Sequence, residues 1–129
     1  MTRRRIVFAL LAFGWATSAF GWETGNDLIP LWKEYKADNR DYYSSGMYIG
    51  YIAATLDGLD LTNYVLDETH YGDGDLGFEI PKDATLGQLC SVVGKWLESH
   101  PEKWNMSGTL VVIAALREAF PKGKRKEIE

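Results

Sequence analysis

Apolar side chains recur at helical spacing in four stretches of the chain, and this pattern predicts four helices. The first helix is expected to open with Thr24 or Asn26 as its N-cap and to end near residues 38–39. The second carries a continuous apolar stripe over residues 44–59. This stripe predicts an amphipathic helix of about four or five turns.

The third and fourth helices carry clearer end signals. Thr85 is predicted to cap the third helix, and Gln88 completes a capping box three residues later. His100, followed directly by a proline, marks the end of this helix. The fourth helix should begin within residues 105–107 and stop at Pro121, and its nearly all-round apolar surface places it in the middle of the bundle. Together these elements predict an all-α fold, a compact bundle of about four helices.

The connection between the second and third helices is expected to be a long acidic loop. Residues 58–83 contain several glycines, a proline and clustered acids, which break the helical period and leave room for one short hairpin. Loops of this length in a compact domain are commonly functional. The alternative is that these residues only solvate the connection. The residues predicted to bind a partner are Asp67, Glu68, His70, Tyr71, Asp73 and Asp75.

A line of small residues, Gly46, Gly50 and Ala54, runs along the second predicted helix at a spacing of four. A glycine inside a helix costs about 1 kcal/mol relative to alanine. The line therefore predicts that a neighbouring helix approaches closely, either within the bundle or across a dimer. Membrane helices also use such spacing, but the polar residues 41–45 disfavour that interpretation.

The first 21 residues have the organisation of a secretion signal. Three arginines at positions 3–5 precede an apolar run over residues 6–16, and the small residues that follow allow cleavage after Ala19 or Gly21. The run is shorter than the roughly 20 residues that a spanning helix needs. The chain is therefore expected in the periplasm. Its predicted division is a signal peptide over 1–21, a helical domain over 22–121 and a basic flexible tail over 122–129.

The charge distribution narrows the class of partner. The formal net charge of the chain is −4, and loss of the three signal arginines makes it −7. No lysine or arginine occurs between Arg40 and Lys82, whereas eight acidic residues do. This disfavours nucleic acid and anionic membranes as partners and favours a protein.

The residues that carry chemistry do not form a recognisable catalytic or metal site. His70 and His100 are thirty residues apart without zinc-ligand spacing, and the acidic run 73–79 lacks the later ligands of a calcium loop. Cys90, the single cysteine, lies on the apolar face of the third predicted helix and is expected to be a buried thiol. The chain is predicted to have no cofactor, no metal and no enzymatic activity.

Several blocks of sequence, in this order, resemble the Rap/Tai immunity-protein family. The likeness extends over nearly the whole chain after the signal, and the ordered succession of blocks is more specific than any one of them. The blocks are TGNDL at 24–28, SGMYIGYI at 45–52, IPK at 80–82, TLGQL at 85–89, HPE at 100–102 and AALREAFP at 114–121.

The resemblance implies a helical periplasmic protein, often dimeric, that protects a bacterium from cell-wall amidases delivered by type VI secretion. It implies steric inhibition, in which the immunity protein occupies the effector's catalytic cleft. One departure is systematic, since members of the family commonly carry cysteines, a framework for two disulfides, at four positions that differ here. The four positions hold Trp32, Tyr48, Glu79 and Lys122. Aromatic packing by Trp32 and Tyr48 is expected to compensate for the lost disulfides.

The sequence thus favours an immunity-type protein that binds and sterically inhibits a peptidoglycan amidase. Two alternatives stay open. The first is a periplasmic HdeA-like helical chaperone, which would expose apolar surface as its carboxylates neutralise near pH 4. The second is an orphan member of the fold that has no toxin partner.

Overall fold

The computed structural model describes residues 23–69 and 76–123. Within these ranges the chain forms four α-helices and one short 3₁₀ turn, with no β-strand and only two isolated bridges. The predicted all-α bundle is therefore confirmed. None of the helices in these ranges is long and apolar enough to cross a bilayer. The elements are α1 (Gly25–Lys36), α2 (Tyr42–Thr69), α3 (Leu86–Ser99), the 3₁₀ turn (Pro101–Lys103) and α4 (Gly108–Ala119).

The start of α1 is docked on the connection between α3 and α4. Thr24 is the N-cap, and its N–H and hydroxyl both donate to the Asp27 carboxylate, at 2.9 and 2.8 Å. The N–H groups of Gly25 and Asn26 donate to carbonyls of that connection, at 3.0 and 2.8 Å. A Cβ at Gly25 would lie 2.8 Å from the Cα of Trp104, so only glycine permits this approach. The cap hydrogen bonds satisfy donors that a helix leaves free at its first turn.

Helix α2 is longer than the sequence predicts, because it continues through Gly58 and ends at Thr69. The predicted end near residue 59 is wrong, and residues 58–69 of the loop expected over residues 58–83 are helical. One glycine costs about 1 kcal/mol in a helix interior, and no further glycine or proline follows before Gly72. The buried Leu59 holds the helix to the core on the far side of Gly58, and the Thr62 hydroxyl donates to the Gly58 carbonyl at 2.8 Å.

Helices α3 and α4 begin where the sequence predicts. The Thr85 N–H donates to the Gln88 side chain at 2.8 Å, and the Gln88 N–H donates to the Thr85 hydroxyl at 3.3 Å, which confirms the capping box. Ser107 caps α4. The prediction that α4 lies in the middle of the bundle is wrong, since Leu110 is 52% exposed. Helix α4 packs mainly against α3, which leaves its outer face in solvent.

The core lies between the inward faces of all four helices. Aromatic rings dominate the side where α1 meets α2, with Trp32 and Tyr48 at 5.8 Å between ring centroids and Tyr35 at 5.4 Å from Tyr48. The Tyr48 hydroxyl donates to the carbonyl of Cys90 on α3 at 2.7 Å, so this buried phenol has a partner. The fully buried side chains are Leu28, Tyr48, Ile52, Cys90, Val93, Leu97, Val111, Val112 and Leu116.

Candidate partner-binding surface

The predicted partner-binding residues lie at and beyond the C-terminal end of α2. Asp67 and Glu68 are in the last turn of this helix, whereas the prediction put them in a loop. His70, Tyr71, Asp73 and Asp75 lie outside the described residues. The helix continues for ten residues past Leu59, a length of about 15 Å. Asp60, Leu61 and Thr62, which follow the buried Leu59 directly, are exposed.

The chain on the other side of this segment is anchored to the end of α4. Phe78 and Pro121 form an antiparallel bridge, flanked by two backbone hydrogen bonds of 3.0 and 3.3 Å. The Nε of Arg117 donates to the carbonyl of Leu76. Gly77 has a φ of 80°, a left-handed conformation that favours glycine, and a Cβ there would lie 3.2 Å from the Arg117 Nε. Residues 70–75 therefore connect the end of α2 to a segment that is bridged to the end of α4.

The bridge corrects a second expectation for this region. The sequence leaves room for a short hairpin within residues 58–83, but Phe78 pairs instead with the distant Pro121. Residues 64–66, a short apolar stretch in the first half of this region, lie within α2. Pairings between segments far apart in sequence carry no local signal. The anchor of the acidic segment could therefore not be inferred from its own residues.

The chain on both sides of this segment carries exposed acidic residues, Asp57 and Asp60 on α2 and Glu79 on the other side. One basic side chain, Arg117 of α4, lies beside the far flank through its hydrogen bond to Leu76. Acidic side chains steer a basic patch of a partner and discourage partners of like charge.

The single thiol is placed where it cannot act as a nucleophile. Cys90 is fully buried, as predicted, and burial raises the pKa of its thiol to about 11. A neutral buried thiol is a poor nucleophile. Among the side chains that the structure describes, no three His, Cys, Asp or Glu residues group closely enough to hold a metal ion.

The described surface has shallow depressions in place of a deep cleft. The two best formed have volumes of about 240 and 260 Å³, below the roughly 300–1,000 Å³ typical of small-molecule sites. The second contains the ring of His100 stacked on Trp96 at 4.2 Å between centroids. Glu118 accepts from the Trp96 indole N–H at 2.9 Å and lies 3.8 Å from His100 Nε2. These contacts tie the end of α3 to α4 and leave the histidine and the carboxylate each with a partner.

The glycines of α2 lie on its outer face, away from the other helices of the bundle. A Cβ added at Gly46 or Gly50 would meet no atom within 4 Å, so no helix of the described bundle approaches these glycines. The prediction of close packing within the bundle is wrong. The alternative interpretation of the same spacing, contact across a dimer, is not tested by the bundle itself.

Taken together, the fold and its surfaces define a small all-α protein with broad exposed faces and no deep pocket in its described part. The family model described as Rap1a immunity proteins matches residues 24–121. The chain belongs to the Rap1a immunity protein family. A search of curated proteins found no match, and a search of solved structures found none either.

Membership confirms the resemblance inferred from the ordered sequence blocks. It indicates an immunity protein, implies that the chain binds a partner effector protein, and places it in a family that is generally non-enzymatic. The sequence blocks that carried the resemblance lie on α1, α2, α3 and α4 and on the connections between them. The match thus extends over the whole described bundle.

The four positions where the resemblance implies cysteines fall in two neighbouring pairs. Trp32 and Tyr48 are in ring contact between α1 and α2. Glu79 and Lys122 lie on the two segments joined by the Phe78 bridge, and their N–H groups donate to carbonyls of the opposite segment at 3.0 and 3.3 Å. Non-covalent contacts therefore connect the chain at both places. Whether the aromatic contact makes up for a lost disulfide stays a prediction.

Proposed function

We propose that this chain is a periplasmic immunity protein that binds a peptidoglycan amidase effector of type VI secretion and blocks its catalytic cleft. The observation that carries the proposal is the family match over residues 24–121. The periplasmic location is inferred from the signal-like N-terminus, and the identity of the effector as an amidase is inferred from the family resemblance. The chain supplies a surface and performs no chemistry in this proposal.

The effector-binding element is the acidic segment at the end of α2. It begins with Asp67 and Glu68 on the last helical turn and continues through His70, Tyr71, Asp73 and Asp75. Its support on the described side is the bridge between Phe78 and Pro121, because backbone that is already held loses less conformational entropy on binding. Tyr71 among acids has the composition of a hot spot with a polar rim.

The first experiment identifies the partner. The protein is purified from its own cell envelope, and the proteins that co-purify are tested for peptidoglycan hydrolysis with and without added immunity protein. The proposal expects an amidase whose activity falls in proportion to the added chain. A partner without activity on peptidoglycan would contradict it.

The second experiment locates the interface. Tyr71→Ala should weaken binding of the captured effector by at least about 30-fold, the equivalent of about 2 kcal/mol for a hot spot. The matched control is Tyr42→Ala, since Tyr42 is 86% exposed at the opposite end of α2. Equal affinities for the two variants would remove Tyr71 from the interface.

Charge at the same segment is tested by a pair of double variants. Asp73→Asn with Asp75→Asn should slow association and reduce its dependence on salt, because charge on the segment steers the encounter. Asp38→Asn with Asp83→Asn removes the same charge from exposed positions elsewhere and is the control. If both pairs slow association equally, net charge alone acts and the segment has no special role.

A further inference from the structure

One side chain of α4, Arg117, holds the far flank of the acidic segment. Its Nε donates to the carbonyl of Leu76, the first described residue after that segment. The residues that follow Leu76 are held by two main-chain hydrogen bonds to the chain at the end of α4, of 3.0 and 3.3 Å. The bond from Arg117 is therefore the described hydrogen bond nearest in sequence to the acidic segment on this side.

This hydrogen bond fixes a peptide plane at which the chain turns. The carbonyl of Leu76 and the N–H of Gly77 belong to one rigid plane, so a donor that holds the carbonyl also orients the plane. Gly77 follows with a φ of 80°, a left-handed turn that leads the chain into the bridge at Phe78. The direction in which the chain arrives from the acidic segment therefore depends on where Arg117 holds the carbonyl.

Both partners of the hydrogen bond have a fixed base. Arg117 lies in the last turn of α4, next to the fully buried Leu116. Its side chain lies along Gly77, where an added Cβ would be 3.2 Å from Nε and 3.8 Å from Cδ. The side chain of Leu76 is half-buried and packs against the core. Packing therefore sets the position of Leu76, and Arg117 sets the orientation of its carbonyl.

We propose that Arg117 is a positioning residue for effector binding, which directs the acidic segment by holding the carbonyl of Leu76. The inference rests on the proposed function, in which the acidic segment binds the effector. Backbone that is oriented before binding loses less conformational entropy in the complex. Arg117 thus raises the affinity for the effector without touching it.

The charge of Arg117 acts in the opposite direction. Arg117 is exposed, and a guanidinium is positively charged throughout the accessible pH range. A cation beside an acidic segment weakens the attraction of that segment for a basic patch of the effector. If charge were its whole role, removing it would speed association and tighten binding. A positioning role predicts weaker binding, so the sign of the change separates the two roles.

Amide hydrogen exchange tests the local part of the proposal without the effector. Arg117→Met keeps a long side chain of similar helix propensity and removes the donor. The Glu79 N–H, which donates to Phe120, should exchange at least about 10-fold faster, because the flank opens locally. The N–H of the buried Val93 and the urea midpoint of unfolding should not change.

Two results of this measurement would contradict the proposal. Unchanged exchange at Glu79 would mean that Arg117 does not hold the flank. A lower unfolding midpoint with faster exchange at Val93 would assign Arg117 to the stability of α4, since a cation in the last turn also interacts favourably with the helix dipole.

Effector binding tests the consequence for function. Arg117→Met should weaken binding of the captured effector by about 10-fold, less than the loss expected at a hot spot. Lys82→Met removes another exposed cation that follows the same flank and is the matched control. It should bind at least as tightly as the original chain. Binding by Arg117→Met that is equal to or tighter than that of the original chain overturns the proposal.

Gly77→Ala disturbs the same peptide plane from its other side. A side chain is strained at a φ of 80°, and its Cβ would crowd the Arg117 Nε. This variant should weaken effector binding as Arg117→Met does. The two changes together should weaken binding little more than either alone, because both release the same plane. Fully additive losses would mean that the two residues act separately, against the proposal.

A double-mutant cycle with Tyr71→Ala separates failure of this inference from failure of the proposed function. If Arg117 acts through the acidic segment, Arg117→Met should weaken binding less in the Tyr71→Ala background than in the original chain. The same fold-change in both backgrounds would make Arg117 a direct contact and overturn the positioning role. If Tyr71→Ala weakens binding and Arg117→Met does not, the inference fails and the proposed interface stands. If Tyr71→Ala leaves binding unchanged, the proposed interface itself fails, and the inference with it.

Discussion

The indole ring of Trp32 on α1 lies directly on Gly94 of α3. A Cβ at position 94 would be 2.1 Å from one indole carbon and 2.3 Å from the next, well inside the closest distance that carbon atoms tolerate. Trp32 is 4% exposed, and Gly94 is buried with it. The absence of a side chain at position 94 is therefore what allows α1 and α3 to meet.

Gly94→Ala should destabilise the protein. The added methyl must displace the ring or separate the helices, and overpacking of this kind typically costs about 1–3 kcal/mol. Urea unfolding followed by far-UV circular dichroism measures the change. Gly58→Ala, at a helical glycine with open space around it, is the control. The free energy of unfolding of Gly58→Ala should rise by up to about 1 kcal/mol, because alanine has a higher helix propensity than glycine. If the two alanine variants unfold at the same urea concentration, the contact does not determine stability.

The contact between Trp32 and Tyr48 should be measurable as a coupling energy. A double-mutant cycle with Trp32→Leu and Tyr48→Leu is expected to give about 0.5–1.5 kcal/mol, the range for aromatic pairs beyond their buried area. Tyr48→Phe is made in parallel, because it keeps the ring and removes only the hydrogen bond to Cys90. A coupling near zero would mean that the aromatic pair does not replace the cross-link at this place.

Acid should weaken the helix starts. The Thr24 N–H holds the pKa of Asp27 below its usual value, and the Ser44 hydroxyl, followed by the Ser44 N–H, does the same for Asp41. Because the folded state favours both carboxylates, their contribution is present above the ordinary aspartate pKa of about 4 and is lost as pH falls through the lowered values. The free energy of unfolding should therefore decrease below about pH 4.

Asp27→Asn with Asp41→Asn tests this pH dependence. The double variant should be less stable than the original chain at pH 7, and its stability should change less between about pH 4 and pH 2. Unfolding by urea at a series of pH values gives both quantities. Parallel curves for the two proteins would mean that other groups control the acid response.

Cys90 should react with thiol reagents only when the bundle opens. Its side chain is fully buried, and burial raises the pKa of the thiol to about 11. Because the folded state favours the neutral thiol, its contribution to the free energy of unfolding is fully present below the ordinary cysteine pKa of about 8.5. This contribution is lost as pH rises toward 11. Labelling with a disulfide reagent at pH 8 should be slow in buffer and complete in urea. Thr62→Cys supplies an exposed thiol that should react at once, and similar native rates for both thiols would contradict the burial.

The sequence predicts those helix starts that are fixed by hydrogen bonds within one helical turn. Thr85 with Gln88, and Ser107 before α4, are caps whose donors and acceptors lie within one turn, so the sequence predicts them directly. The burial of Cys90 likewise follows from its place in a helical stripe. The helical bundle and the family were both accessible at this level.

Features that depend on distant contacts were not accessible. Gly58 has the local character of a helix end, yet the buried Leu59 beyond it carries α2 on to Thr69. Leu110 belongs to an apolar run, but the position of α4 at the side of the bundle exposes it. The spacing of Gly50 indicated a close approach without saying from which molecule, since periodicity describes one helix and not its neighbour.

For the same reason, the geometry around the candidate site could not be predicted. Composition indicated an acidic segment before α3, but it could not show that Asp67 and Glu68 would lie on a helix. It also could not show that the far side of the segment would be joined to Pro121.

Titration of the captured effector's peptidoglycan amidase activity with this chain shows whether the chain is a stoichiometric inhibitor. Activity should fall linearly with added chain and reach zero at one immunity chain per effector. Tyr71→Ala should require a large excess to reach the same inhibition. An effector that binds the chain and keeps its full activity would rule out inhibition by occupation of the cleft.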